Sequence, residues 1–340
     1  MKSKKHILLL TLLNVSFAFS LHAQDLHFSQ FFNSPLSTNP ANTGFIPDAD
    51  YRIGANYRNQ WSTLMTVPYK TYSAFADAQV FREKLENGWL GVGGLLLSDV
   101  AGSGSLRSTK IYGSVAYHQM LGFSSLLSAG FNVGWANKRI DGSRLKYPDQ
   151  FDGKFFDNKL PTSVVLNRQS VSYLDIQVGM NYAYFPGENV YINAGYSIHH
   201  VNRPKETFFS DDAELSQIPM RHIGFLNAIL KVHPNWIVNP NAYFTTQAKA
   251  KELVLGLNAN YNLGGIGEKQ LMVGAYYRFG DAIVPMVGLE IGNIRLTFSY
   301  DVTMSNLNKF NSYRGAQEFG LMKKGFYPDN VDRTTLCPKF

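Results

Sequence analysis

The sequence predicts an all-β fold, a transmembrane antiparallel β-barrel of about 14 strands with short periplasmic turns and longer extracellular loops. Three observations carry this reading. Apolar and polar residues alternate with a period of two, the links between alternating segments are short and long in turn, and the chain opens on an export-type leader.

The leader comes first. Lys2, Lys4 and Lys5 form a positive stretch, residues 7–19 an apolar one, and Ala23 places a small residue before Gln24, so residues 1–23 read as a signal peptide. No cysteine lies nearby, which argues against lipoprotein processing. The net charge of +7 includes those three lysines, and the other basic residues are scattered through turns, which does not suggest a nucleic-acid surface. Mean hydropathy is −0.16. Beyond residue 24 no run of about 18 apolar residues would cross a bilayer as a helix, whereas a barrel needs lipid contact only at every second residue. Cys337 is the single cysteine, so there is no internal disulfide framework.

Residues 24–50 do not alternate. Phe28, Phe31 and Phe32 precede Pro35, Asn39-Pro40-Ala41 and Gly44, which reads as an ordered segment packed in the barrel or as a periplasmic lead-in. Residues 51–322 form the barrel and 323–340 a C-terminal tail. The first strand sets Tyr51, Ile53, Ala55 and Tyr57 against Arg52, Asn56 and Arg58; the second sets Tyr72, Ala74, Ala76, Ala78 and Val80 against Ser73, Asp77 and Gln79. A glycine-rich strand follows at 89–97. The fourth and fifth carry Tyr117 and Trp135, expected in an aromatic girdle. Two more, at about 174–182 and 190–198, flank a tight turn at 185–189. Later strands fall near 222–232, 236–246, 252–261, 271–279, 283–291, 294–302 and 316–322. The stretch 252–261 is the clearest, with Leu253, Leu255, Leu257, Ala259 and Tyr261 on one face and Glu252, Gly256, Asn258 and Asn260 on the other. Pro285 falls outward on its strand and removes a ladder donor.

Links after even-numbered strands are short, at 121–123, 185–189, 233–235, 264–269 and 292–293. Those after odd-numbered strands are often long, above all 141–170 and 203–219. This parity puts the short turns and both termini in the periplasm.

Particular residues then become recognisable, and the chain resembles the PorP/SprF family of outer-membrane proteins of the Bacteroidetes type IX secretion system. The stretches that carry the likeness are His27-Phe28-Ser29-Gln30-Phe31-Phe32 with Asn39, Pro40, Ala41 and Gly44; Tyr57-Arg58-Asn59-Gln60-Trp61; His200-Val201-Asn202-Arg203-Pro204 with Phe208; Tyr277-Arg278-Phe279 through Pro285 to Ser299-Tyr300-Asp301-Val302; and Cys337-Pro338-Lys339-Phe340. The resemblance implies an outer-membrane location, a role in exporting or anchoring surface proteins such as gliding adhesins, and the type IX machinery and a secreted protein as partners beside membrane lipids. Lys323-Lys324-Gly325-Phe326 departs from the pattern by interrupting the expected last strand.

Sequence chemistry points to no enzyme, cofactor, metal or nucleic acid. His199 and His200 are adjacent, so on a strand they would face opposite sides and share no ion. Asp175, His118, His199 and Ser197 would serve a hydrolase only if the fold gathered them. Gly102, Gly104 and the glycines at 264–267 precede no helix and read as turns. Asp77, Glu252, Arg278, Glu290, Arg295 and Asp301 read as lumen-lining, paired charges. The aromatics Phe151, Phe155 and Phe156, and Arg203-Pro204 with Phe208 and Phe209, lie in the two long loops, where they read as a partner contact or as a cap over the pore. The rival class is a channel or transporter for small or hydrophobic solutes, which a lumen filled by bulky residues or by residues 25–50 would disfavour.

Overall fold

The computed structural model describes residues 28–328 other than 83, 103, 158, 165, 210–215 and 265–268. The signal-peptide reading of 1–23, His27, and Cys337 with the rest of the tail beyond 328 lie outside the described residues.

Fourteen strands are present among the described residues: β1 (Tyr51–Gln60), β2 (Tyr69–Val80), β3 (Gly88–Ala101), β4 (Leu106–Met120), β5 (Ser125–Arg139), β6 (Ser170–Gly187), β7 (Val190–His199), β8 (Arg221–His233), β9 (Trp236–Gln247), β10 (Ala250–Asn262), β11 (Lys269–Arg278), β12 (Ala282–Ile291), β13 (Ile294–Thr303) and β14 (Arg314–Gly325). Each pairs antiparallel with its neighbours in sequence, and β1 pairs with β14 from Tyr51↔Gly325 to Gln60↔Ala316, closing the cylinder. Closure leaves no edge strand, so backbone donors and acceptors are satisfied along the ladder.

The two-residue period decides what faces where. Leu255, Leu257, Val273, Val287, Leu296 and Leu321 are exposed on the outside, whereas Asn56, Asp77, Asn132, Gln177, Asn258 and Ser299 are buried within. A soluble protein shows the reverse. An apolar exterior around a polar interior is the signature of a barrel solvated by lipid.

Three expectations need correction. The lysine pair does not interrupt β14, which runs to Gly325 with Lys323 opposite both Ile53 and Ile294 and Lys324 opposite Arg52. Alternation explains it: Lys323 points outward and is exposed, while Lys324 turns inward to Asp48 at 2.6 Å and to Glu290 at 3.4 Å. The turn expected at 185–189 is shorter, because β6 continues to Gly187 across a register shift after Tyr184. His199 and His200 do not face opposite sides. β7 ends at His199, the backbone of His200 turns left-handed at φ 58°, and both imidazoles are buried.

Pro285 is outward and exposed, as its parity requires, opposite Ala275 of β11; on its other side the β12–β13 pairing omits Val284 and Pro285. Tyr117 and Trp135 are also outward and exposed.

Candidate functional site

The lumen is occupied by the chain's own residues 28–50. Local chemistry shapes this segment: Pro35 starts the four-residue helix α1 (Pro35–Thr38), and the Asn39 side chain then accepts the Ala41 N–H at 2.9 Å, turning the backbone after the helix. Gly44 follows at φ +66°.

The segment runs lengthwise. Ser29 and Gln30 meet residues near the long-loop ends of β1, β11, β13 and β14, whereas Ile46 to Asp50 meet Gln79, Lys324 and Gly325 at the short-turn end. The first described residues therefore sit in the outer half of the barrel, although the N-terminus itself lies outside the described residues.

Its outer part is held by a buried charge cluster. Arg58 donates to Asp301 at 2.8 Å and to Glu318 at 3.1 Å, and Arg278 donates to Asp301 at 2.6 Å and to Asp281 at 2.6 Å. Glu318 accepts the backbone N–H groups of Ser29 at 2.9 Å and Gln30 at 2.8 Å, while the Ser29 hydroxyl donates to Asp301 at 2.9 Å. Arg58 also donates to that hydroxyl at 2.5 Å. Buried charges persist only when paired and fully hydrogen-bonded. Here the pairing includes the segment's backbone, so the charges stabilise its position as well as each other. Beside this cluster Phe31 stacks on Tyr243 at 4.9 Å and Phe32 on Tyr276 at 5.6 Å.

The middle of the segment lies against glycines. A Cβ on Gly91 would fall 1.9 Å from the Thr43 carbonyl oxygen, one on Gly130 2.6 Å from that of Pro40, and one on Gly179 1.9 Å from Asn39 Oδ1. Only a bare backbone permits that approach. Asn39 donates to the Met180 carbonyl at 2.8 Å, Ser197 to the Thr38 carbonyl at 2.7 Å, and Trp89 to the Gly44 carbonyl at 2.9 Å. Asp77 accepts Gly44 N–H at 2.7 Å and is paired with Arg52 at 2.8 Å. At the short-turn end Lys324, Asp48, Glu290 and Arg295 form a connected set, with Arg295 on Glu290 at 2.6 Å.

On the long-loop side, Asp175 accepts from Tyr112 at 2.6 Å and meets His200 Nδ1 at 2.8 Å beneath the two long loops. Those loops are joined: the Asn167 and Arg168 N–H groups donate to the Phe208 carbonyl at 3.1 and 3.2 Å, and Lys138 pairs with Glu206. Phe151, Phe155 and Phe156 are exposed, with Phe151 bridged to Phe156 and the Lys146 ammonium 5.1 Å from the Phe156 ring centre. Phe209 and Arg203 are exposed, Phe208 half-buried and Pro204 buried. Trp61, at φ 58° just past β1, packs edge-on against Tyr69.

The structure thus gathers Arg58 and Asp301 into one cluster with Ser29, Gln30 and Arg278, and places Asn39, Pro40 and Ala41 in the glycine cradle. Arg203, Pro204 and the loop phenylalanines lie apart from both, and Pro285 faces outward. Sequence reasoning missed Glu318 as an anchor and missed the cradle. Strand alternation is the one signal that could have turned Glu318 inward, but nothing local shows that backbone N–H groups from residues 29 and 30 reach it.

The suggested hydrolase set is not assembled. Ser197 gives its proton to the Thr38 carbonyl and lies 3.5 Å from His199, while Asp175 bonds to His200 and His118 bonds to Ser128 and the Thr43 carbonyl. Among the described residues no three His, Cys, Asp or Glu side chains are grouped to hold a metal ion.

A closed strand cylinder, apolar outside and polar inside, with its lumen filled by an N-terminal segment, defines an outer-membrane β-barrel. The chain belongs to the PorP/SprF family of type IX secretion system membrane proteins, whose family model matches residues 20–319. No curated protein matches it. Solved structures agree on the fold. The toluene transporter TbuX of Ralstonia pickettii superposes with a TM-score of 0.51 at 12% identity, over 86% of this chain and 94% of that one. The toluene transporter TodX of P. putida gives 0.51 at 12% identity, over 87% and 94%.

Proposed function

We propose that this barrel is a non-enzymatic component that helps to export or anchor cell-surface proteins such as adhesins through the type IX system. Family membership supports the pathway. The observation that carries the rest is the division of the molecule: residues 28–50 are bound lengthwise in the lumen through Arg58, Asp301, Glu318 and Asp77, while the two joined outer loops expose Phe151, Phe155, Phe156 and Phe209. A filled lumen favours work at the ends of the barrel over free diffusion through it. Exposed aromatics beside Lys146 and Arg203 suit a protein partner's surface. The second reading, a channel for small or hydrophobic solutes, is supported by the fold likeness to the two toluene transporters.

The test compares the proteins on the cell surface and in the medium with and without the gene, together with toluene uptake. Loss of one or a few surface proteins, or their release into the medium, is expected. An unchanged surface with altered uptake would establish the second reading.

A further inference from the structure

The short-turn half of the lumen holds a cavity of about 270 Å³ beside the N-terminal segment. Its barrel wall is a field of asparagines. Asn193 of β7 lies opposite Asn227 of β8, Asn227 opposite Asn241 of β9, and Asn239 of β9 opposite Asn258 of β10, with Asn260 two residues further along. All six line the cavity, faced by Phe31, Phe32 and Phe45 of the segment.

The opposite arc of the same lumen shows what such side chains do. There Asn56 donates to the Asn33 carbonyl at 3.1 Å, Gln79 to that of Ile46 at 2.7 Å and Asn132 to that of Leu36 at 3.4 Å, so inward carboxamides grip a polypeptide backbone. The β7–β10 arc carries equivalent groups and grips none. Asn241 donates only to the Asn239 carbonyl, Asn258 to the Tyr276 hydroxyl and Asn260 to Gln270. The carboxamide oxygens of Asn193, Asn227, Asn239, Asn258 and Asn260 have no partner among the described residues.

We propose that this cavity is a second polypeptide site, which takes an extended, uncharged stretch of another chain from the periplasmic side. Inward residues two apart on a strand stand about 6.8 Å from one another, the distance at which an extended peptide repeats its same-side N–H and C=O groups. The nearby charges are already paired, Lys324 with Asp48 and Arg295 with Glu290, so the ligand need bring no charge. The phenylalanines and Met272 receive its apolar side chains. A hydrocarbon would leave the carboxamides unsatisfied. This goes beyond the export reading, and because it is measured on the purified barrel, its failure is separable from the failure of that reading.

The probe is a pool of random hexapeptides, acetylated and amidated at their ends, passed over the immobilised full-length barrel in detergent and read by mass spectrometry. Saturable retention is expected, reduced about tenfold by Asn227→Leu with Asn241→Leu, the equivalent of one or two lost hydrogen bonds. It should be unaffected by Asn137→Leu at the outer end of β5. Heat-modifiable gel mobility reports folding of each variant, and if the double variant does not fold, Asn239→Ser with Asn260→Ser carries the same test. No retention, equal retention by the folded variants, or displacement by cellohexaose or toluene would overturn the proposal.

Discussion

Arg58 has two carboxylates to satisfy, and its removal is the most informative single change in the lumen. Arg58→Met leaves Glu318 without a cation and Asp301 with Arg278 alone. Breaking a buried pair from one side costs about 3–5 kcal/mol, so the folded band should convert at clearly lower temperature on heat-modifiable gels. Adding Glu318→Leu should lower stability by less than the sum of the two single changes, because they share one network. At the outer surface, Asp149 accepts the N–H and hydroxyl of Ser163 and the hydroxyl of Thr162, and these bonds hold its carboxyl below the usual range. A carboxyl depressed in the folded state stabilises above its unfolded pKa and stops doing so as pH falls through its folded value. Pepsin should therefore cut the 140–169 loop progressively faster as pH falls through that range, and Asp149→Ala should let proteinase K cut it faster at neutral pH. Equal cutting of native and variant loops would refute the role of Asp149. Arg58, Arg278 and Asp301 were legible as inward residues because parity alone assigns their face. The backbone partners of Glu318 were not, since Ser29 and Gln30 lie far away in sequence.

The N-terminal segment and its cradle are the elements on which the interior depends. Gly91, Gly130 and Gly179 admit its backbone, and a larger side chain at any of them meets a carbonyl or the Asn39 amide. Gly130→Val should displace the 38–44 stretch while leaving the barrel closed. With Cys337 replaced by serine, a cysteine at buried Thr38 should react with a membrane-impermeant maleimide in the Gly130→Val protein and remain protected otherwise. Protection in both would show that the segment tolerates the added methyls. The sequence showed that 24–50 was not a strand and allowed two placements, in the lumen or below it. Its turn formers could not decide between them, because the deciding contacts come from strands all round the barrel, β1 to β7 with β9, β11, β13 and β14. For β14 the misreading had a local cause: two adjacent lysines look like a break until one is seen to face the membrane edge and the other Asp48 and Glu290.

For the molecule as a whole, the closed cylinder was the most legible feature. Alternation, link parity and strand number all report on it, and each is a property of local sequence. What fills the cylinder was less legible, since lumen-facing asparagines look alike whether they hold the chain's own segment, as Asn56 and Asn132 do, or make no hydrogen bond to it, as with Asn227 and Asn241. Reading the barrel as a protein-handling body rather than an open pore requires the lumen to be shut, and conductance of the purified full-length barrel in a planar lipid bilayer tests that most directly. A shut lumen gives no steady open-channel current for the native protein and intermittent current for Gly130→Val, in which the segment is displaced. A steady, ohmic current through the native barrel would contradict it.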